Sequence, residues 1–270
     1  MLKKLSPIIF IIFCGLVLSG CSLGKNKNSQ DATPTVKPNP KAVKSIEKSV
    51  KERPFVSLTP TTDGHRLTIR IRNISPQVKS LEYELIYFAD FEGNKIERGL
   101  DTGGRPVFLE GKTEFSKEIL FGSESCTTGK CKYRYDEGVS EGTLTLKFNY
   151  EEGVDKYMSS FRLQTGKQAA EGLSTGDGTF LLKPAVKLNG YYLTLSTAGI
   201  PANLDKDPVG LPYSVFPTIS SKGIVSFKSD TTDANIYAYD GKVWKQLETK
   251  IDGGTLTANT SGEQTFILVK

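Results

Sequence analysis

The chain of 270 residues has one histidine, one tryptophan, two methionines and four cysteines. A single histidine, His65, excludes multi-histidine zinc sites, and it follows Asp63-Gly64 in what reads as a turn into a strand. As a general base it would need a nucleophile and an orienting carboxylate, and no GxSxG elbow accompanies it. Phosphate-cradling GxxxxGK[ST] and dinucleotide GxGxxG patterns are also missing. The chain therefore reads as a non-enzyme that needs no cofactor. The longest apolar run, Ile8 to Leu18, spans 11 residues, too few for the roughly 20 that a membrane-crossing helix requires.

The net charge of +5 is uneven. Residues 22–54 carry eight positive side chains against three negative, whereas residues 55–270 carry 25 against 27. The folded part thus lacks a basic footprint for nucleic acid, and no nucleic-acid partner is expected.

The start of the chain is the strongest signal present. Lys3 and Lys4, the short apolar run and Leu18-Ser19-Gly20-Cys21 form a charged segment, a hydrophobic segment and a small-residue cut site. This segment resembles the signal peptide and lipobox of bacterial lipoproteins. The resemblance implies that residues 1–20 are removed and that the Cys21 thiol carries diacylglycerol, with palmitate-type chains. Two chains suffice for stable anchoring. Export follows, with the protein held on the cell membrane or outer membrane of the envelope and facing outside the cytoplasm. Residues 21–54, rich in Lys, Asn, Pro, Thr and Ser, cannot bury enough apolar surface to offset ordering entropy, so they read as a disordered basic tether.

From Phe55 onward the period is two. Leu67, Ile69 and Ile71 alternate with polar residues, as do Leu81, Tyr83, Leu85 and Tyr87. Short strands are expected at 55–58, 67–71, 81–87, 95–100, 114–121, 142–150 and 156–163, and helical period is absent. The fold class is all-β, with two tandem antiparallel β-sandwiches at 55–165 and 179–270 joined by a polar linker at 166–178. In strand number and spacing the first resembles immunoglobulin-like and fibronectin type III-like domains. It has no Trp, and its cysteines lie too close together to pin two sheets.

In the second segment, Tyr237-Ala238-Tyr239-Asp240-Gly241-Lys242-Val243-Trp244 predicts a hairpin with a two-residue Asp-Gly turn, which would set Tyr237 opposite Trp244 and Tyr239 opposite Lys242. The stretch is similar to a closing hairpin of bacterial surface β-sandwich modules. If they face solvent, Tyr237, Tyr239 and Trp244 form a sugar-stacking platform; otherwise they are core. Cys126 and Cys131, in a Gly-containing loop of an exported chain, suggest a disulfide. A metal site would lack further ligands and a redox pair would lack a CxxC spacing. Loop acids Asp90, Glu92 and Asp101 are the candidates for paired-carboxylate hydrolysis, and Asp205, Asp207, Asp230 and Asp233 for Ca²⁺, but no complete motif surrounds either set. No metal is expected. The function expected is non-catalytic, an interaction, adhesion or envelope-structural role toward a protein or glycan partner. The alternative is carbohydrate binding by the C-terminal aromatics.

Overall fold

A computed structural model describes residues 44–231 and 233–270. The lipobox and its Cys21 lie outside the described residues. Among the described residues twenty strands follow one another. The first ten are β1 (Phe55–Pro60), β2 (Arg66–Arg72), β3 (Ser80–Phe91), β4 (Asn94–Asp101), β5 (Val107–Phe108), β6 (Phe115–Leu120), β7 (Gly122–Thr127), β8 (Lys130–Tyr135), β9 (Glu141–Asn149) and β10 (Val154–Thr165). After a 3₁₀ turn at Gln168–Glu171 come β11 (Leu173–Ser174), β12 (Phe180–Pro184), β13 (Tyr191–Ser196), β14 (Pro208–Phe216) and β15 (Gly223–Lys228). The chain closes with β16 (Asn235–Tyr239), β17 (Trp244–Gln246), β18 (Lys250–Asp252), β19 (Thr255–Thr260) and β20 (Thr265–Val269).

The architecture is all-β and built of antiparallel sheets. Alternation explains why. In β2, Leu67, Ile69 and Ile71 are fully buried while Arg66, Thr68, Arg70 and Arg72 face outward, and β9 repeats the pattern with Leu144, Leu146 and Phe148. One long sheet runs β17-β16-β20-β14-β13-β10-β9-β3-β4, with β5 added beside β3. A three-stranded sheet (β1-β2-β6) and a five-stranded sheet (β11-β12-β15-β19-β18) pack on it, and β7-β8 stands apart as a ribbon.

The two covering sheets lie on opposite faces of the long sheet. Adjacent residues of β14 show this: Val215 enters the core beneath the five-stranded sheet, whereas Phe216 joins Leu58, Ile69 and Leu144 in the core beneath the three-stranded one. Similarly, Phe266 and Leu268 point into the second core and Ile267 points the other way.

Hydrogen bonding also crosses the boundary drawn from composition. β10 pairs with β13 from Phe161↔Leu195 to Thr165↔Tyr191, so the segments 55–165 and 179–270 share one sheet. Leu193, Leu195 and Phe216 of the latter segment complete the core of the former. The stretch read as a linker holds the 3₁₀ turn and β11, and the Gln164 side chain bridges it, donating to the Gly172 carbonyl and accepting from the Ser174 N–H.

Residues 44–54 are packed against this sheet, although their composition reads as tether. Ser45 forms a parallel bridge to Val154, and Ile46 N–H donates to the Val154 carbonyl at 3.0 Å. Lys48 reaches the buried Asp155 carboxylate at 3.7 Å and donates to the Tyr150 hydroxyl at 2.5 Å. Val50 packs against Ile200, Leu204, Ile267 and Val269. A buried carboxylate that needs a cation outweighs the polar composition of the strap.

Two outcomes follow from this arrangement. Leu195→Ala, a change in β13, is expected to lower the unfolding free energy of the whole described unit by about 3 kcal/mol in one cooperative urea transition, and residues 55–165 expressed alone should give no cooperative transition. Independent cooperative unfolding of that segment would contradict the shared core. The second concerns Glu263, in the turn before β20. Burial pushes its carboxyl up, but hydrogen bonds from Thr260 Oγ1 (2.7 Å) and the Ser261 N–H (2.6 Å) prevail and hold its pKa below the ordinary value of 4.5. Its stabilisation is complete above that value and is lost as pH falls through the lower folded-state value. The stability gap between Glu263→Gln and the natural chain should therefore shrink on acidification below pH 4.5.

Candidate functional site

The aromatic hairpin forms in a register other than the expected one. Tyr239 lies opposite Trp244 and Tyr237 opposite Gln246, so four residues, Asp240 to Val243, make the turn. Asp240 is the reason: its carboxylate accepts from the N–H groups of Lys242 and Val243, both at 2.9 Å, and pairs with Lys245 Nζ at 2.6 Å. The Lys245 contact first, and then the two N–H donors, hold this carboxyl far below its usual range. A turn that wraps its own Asp side chain displaces the two-residue alternative.

Tyr239 and Trp244 pack with ring centroids 5.3 Å apart. The indole N–H donates to the Ala202 carbonyl at 3.1 Å, and Tyr237 and Trp244 lie against Ile200, Leu204, Ile267 and Val269. The three rings are half-buried; Tyr237 and Trp244 fasten the 198–204 loop onto the long sheet, and Tyr239 backs Trp244.

A groove forms elsewhere, on the face of the long sheet that the five-stranded sheet only partly covers. It encloses about 580 Å³. Ile86 and Phe88 of β3, Gly142 and Thr143 of β9, and Ser160 of β10 make its floor, Leu211 and Tyr213 of β14 bound it on one side, and Thr175 to Asp177 overhang it. Gly142 is required there, since a Cβ would strike the Ile86 carbonyl and the Phe161 ring. Glu97 and Glu141 stand at the rim. Lys95 neutralises Glu141 at 2.5 Å and covers the Phe88 ring at 4.9 Å. Partial burial raises the Asp177 carboxyl, yet donation from Thr175 Oγ1 (2.6 Å) and the Thr179 N–H (3.0 Å) leaves it lowered. Asp177 is thus an acceptor and not a stored proton. Hydroxyls, carboxylates and an apolar floor suit a ligand rich in hydroxyl groups.

The groove draws on residues 86 to 213, so no local motif announces it. The one local signal is the polar alternation of Thr143, Thr145 and Lys147, which marks an outer face without saying what overhangs it.

The remaining sequence candidates are dispersed. His65 stacks on Tyr135 with centroids 4.0 Å apart. Asp207 meets Lys51, Asp233 meets Lys270, and Asp205 accepts from Asn203. Asp101 accepts from the Gly103 N–H, and Asp90 lies in a bridge to Glu137. Cys126 and Cys131 form a disulfide across β7 and β8. Glu124 completes a three-donor group with them within 4.8 Å, but the two sulfurs are bonded to each other, which removes them as thiolate ligands. No protein-family model matches the sequence. No curated protein matches it either.

Because the indole is half-buried and bonded, Trp244 emission should be blue-shifted and only partly quenched by acrylamide. Trp244→Phe should cost about 1 kcal/mol in urea unfolding through the lost hydrogen bond to Ala202. Full quenching with no stability cost would return the ring to a free platform.

Proposed function

We propose that this chain is a lipid-anchored protein of the cell surface with a non-catalytic interaction role. The observation that carries this reading is the Cys126–Cys131 disulfide, both cysteines exposed on a surface ribbon, because such a bond persists in oxidising compartments and not in a reducing cytosol. It supports the export signalled by Leu18-Ser19-Gly20-Cys21. Anchoring through Cys21 places the membrane among its partners, and a protein or glycan would be met beyond it.

A binding role fits the groove better than a hydrolytic one. Acid catalysis on a glycosidic bond needs a carboxyl that keeps its proton, whereas Asp177 is held ionised and Glu141 is paired with Lys95. Carbohydrate binding is the second reading, and the groove favours it. Thr143, Ser160 and Ser196 offer hydroxyls beside Phe88. Tyr237, Tyr239 and Trp244, by contrast, are engaged in packing.

Radiolabelled palmitate is expected to enter the chain in cells and to be lost in Cys21→Ala, with the protein released from the membrane fraction. The natural protein isolated without reductant should show no free thiol at Cys126 or Cys131. A cytosolic, unlabelled, thiol-bearing product would overturn the reading.

A further inference from the structure

The β7–β8 ribbon has two faces of different chemistry. Register puts Tyr135 opposite Gly122, Tyr133 opposite Glu124 and Cys131 opposite Cys126 on one face. That face leans on the body of the protein: Tyr135 stacks on His65, and the Arg66 guanidinium lies 5.0 Å from the Tyr133 ring while bonded to Glu118. The other face is a ladder of three pairs, Ser123 with Arg134, Ser125 with Lys132, and Thr127 with Lys130. All six are exposed. Among the described residues none of the three cations has a carboxylate partner, and only Arg134 has a neighbour that orients it, the Phe91 ring at 5.7 Å. Same-face residues along a strand repeat about every 7 Å, so this is a row of evenly spaced charges, each beside a hydroxyl.

The row ends in a pocket. At the root of the ribbon a cavity of about 340 Å³ is lined by Arg98, Ser123, Arg134 and Asp136, with Tyr87 behind. Asp136 is neutralised there, since it faces Arg98 at 3.6 Å and accepts from the Tyr87 hydroxyl at 2.7 Å. The disulfide and the Thr128-Gly129 turn, both residues at positive φ, hold the two strands of the ribbon together beyond this root. Ser80, beside the point where the strap at Lys44–Ile46 joins β10, and Asp90, beside the ribbon root, are at opposite ends of β3, about 33 Å apart. The row is therefore displayed at the end of the sheet away from the strap.

We propose that this row is a docking strip for a linear anionic glycan, with Lys130, Lys132 and Arg134 on its charged groups and Ser123, Ser125 and Thr127 on its hydroxyls. The chemistry favours that occupant over others. Single-stranded nucleic acid is held by rings interleaved with cations, and here Tyr133 and Tyr135 lie on the opposite face against Arg66 and His65, while Phe91 meets the row at Arg134, at its root. A folded protein partner wants an apolar anchor at the centre of its contact, and Phe91, the ring beside this row, sits at its root and not at its centre. The proposal names a partner class for the surface role above. It rests on that reading only for where the partner is met.

The test is titration of the full chain with polygalacturonate and heparin, alongside neutral dextran, poly-glutamate and single-stranded DNA. Both anionic glycans should bind, more weakly as salt rises, and dextran should not. The variant Lys130→Ser/Lys132→Ser/Arg134→Ser should lose about two orders of magnitude in affinity with its melting temperature unchanged, while Lys187→Ser, on another exposed loop, should bind normally. Absence of binding by the natural chain, equal binding by the triple variant, or equal affinity for poly-glutamate or DNA would each overturn the strip. Palmitate labelling retained alongside any of these results would leave the anchoring reading standing.

Discussion

Everything in this molecule hangs on the five residue pairs between β10 and β13. Those pairs carry the backbone hydrogen bonding of β9 and β3 through to β14 and β20, so strands separated by more than a hundred residues belong to one sheet. Once that sheet exists, pleating does the rest. Successive side chains point to opposite faces, and Val215 and Phe216 enter different cores although they are neighbours. The two covering sheets can then sit on opposite faces and at opposite halves.

That offset is what leaves room for function. Had both covers lain on the same face, the outer surface of β3 and β9 would be a bare sheet without walls. Instead the edge of the five-stranded sheet, through Thr175 to Asp177, overhangs Ile86, Phe88 and Thr143 and turns a flat face into a groove. The same design leaves edges to be protected. The strap at 44–54 bridges the start of β10, and Lys48 supplies the cation that the buried Asp155 requires. The 198–204 loop, fastened through Trp244 and Ala202, covers the far end.

The β7–β8 ribbon follows a different rule. It contributes nothing to either core, and its twelve residues hold few apolar side chains, so packing cannot maintain it. A disulfide, a turn with two positive φ values and a stack of Tyr135 on His65 take over that task. The result is a solvated arm on which, among the described residues, Lys130, Lys132 and Arg134 have no carboxylate partner.

Local chemistry determined much of this protein without help from the fold. Alternating Leu67, Ile69 and Ile71 can only be a strand with one buried face, and the expected strands fall close to β1–β4, β6, β9 and β10 because burial of one face enforces period two. Two cysteines in a Gly-containing loop, on a chain with an export signal, indicated their pairing. The ribbon strands around them were not legible, since fully exposed strands have no apolar alternation to show. Contacts that neither composition nor period reports decided the rest. The Asp-Gly turn lost to the hydrogen bonds that Asp240 accepts, which moved Tyr237 away from Trp244. A polar strap was drawn in by Asp155, and a stretch that looked like a linker became the 3₁₀ turn and edge strand that carry the chain from the long sheet into the five-stranded one. In each case the deciding partner lies far along the chain or in the backbone itself. Composition and period report which face of a segment is apolar, and they carry no information about which distant group will meet it.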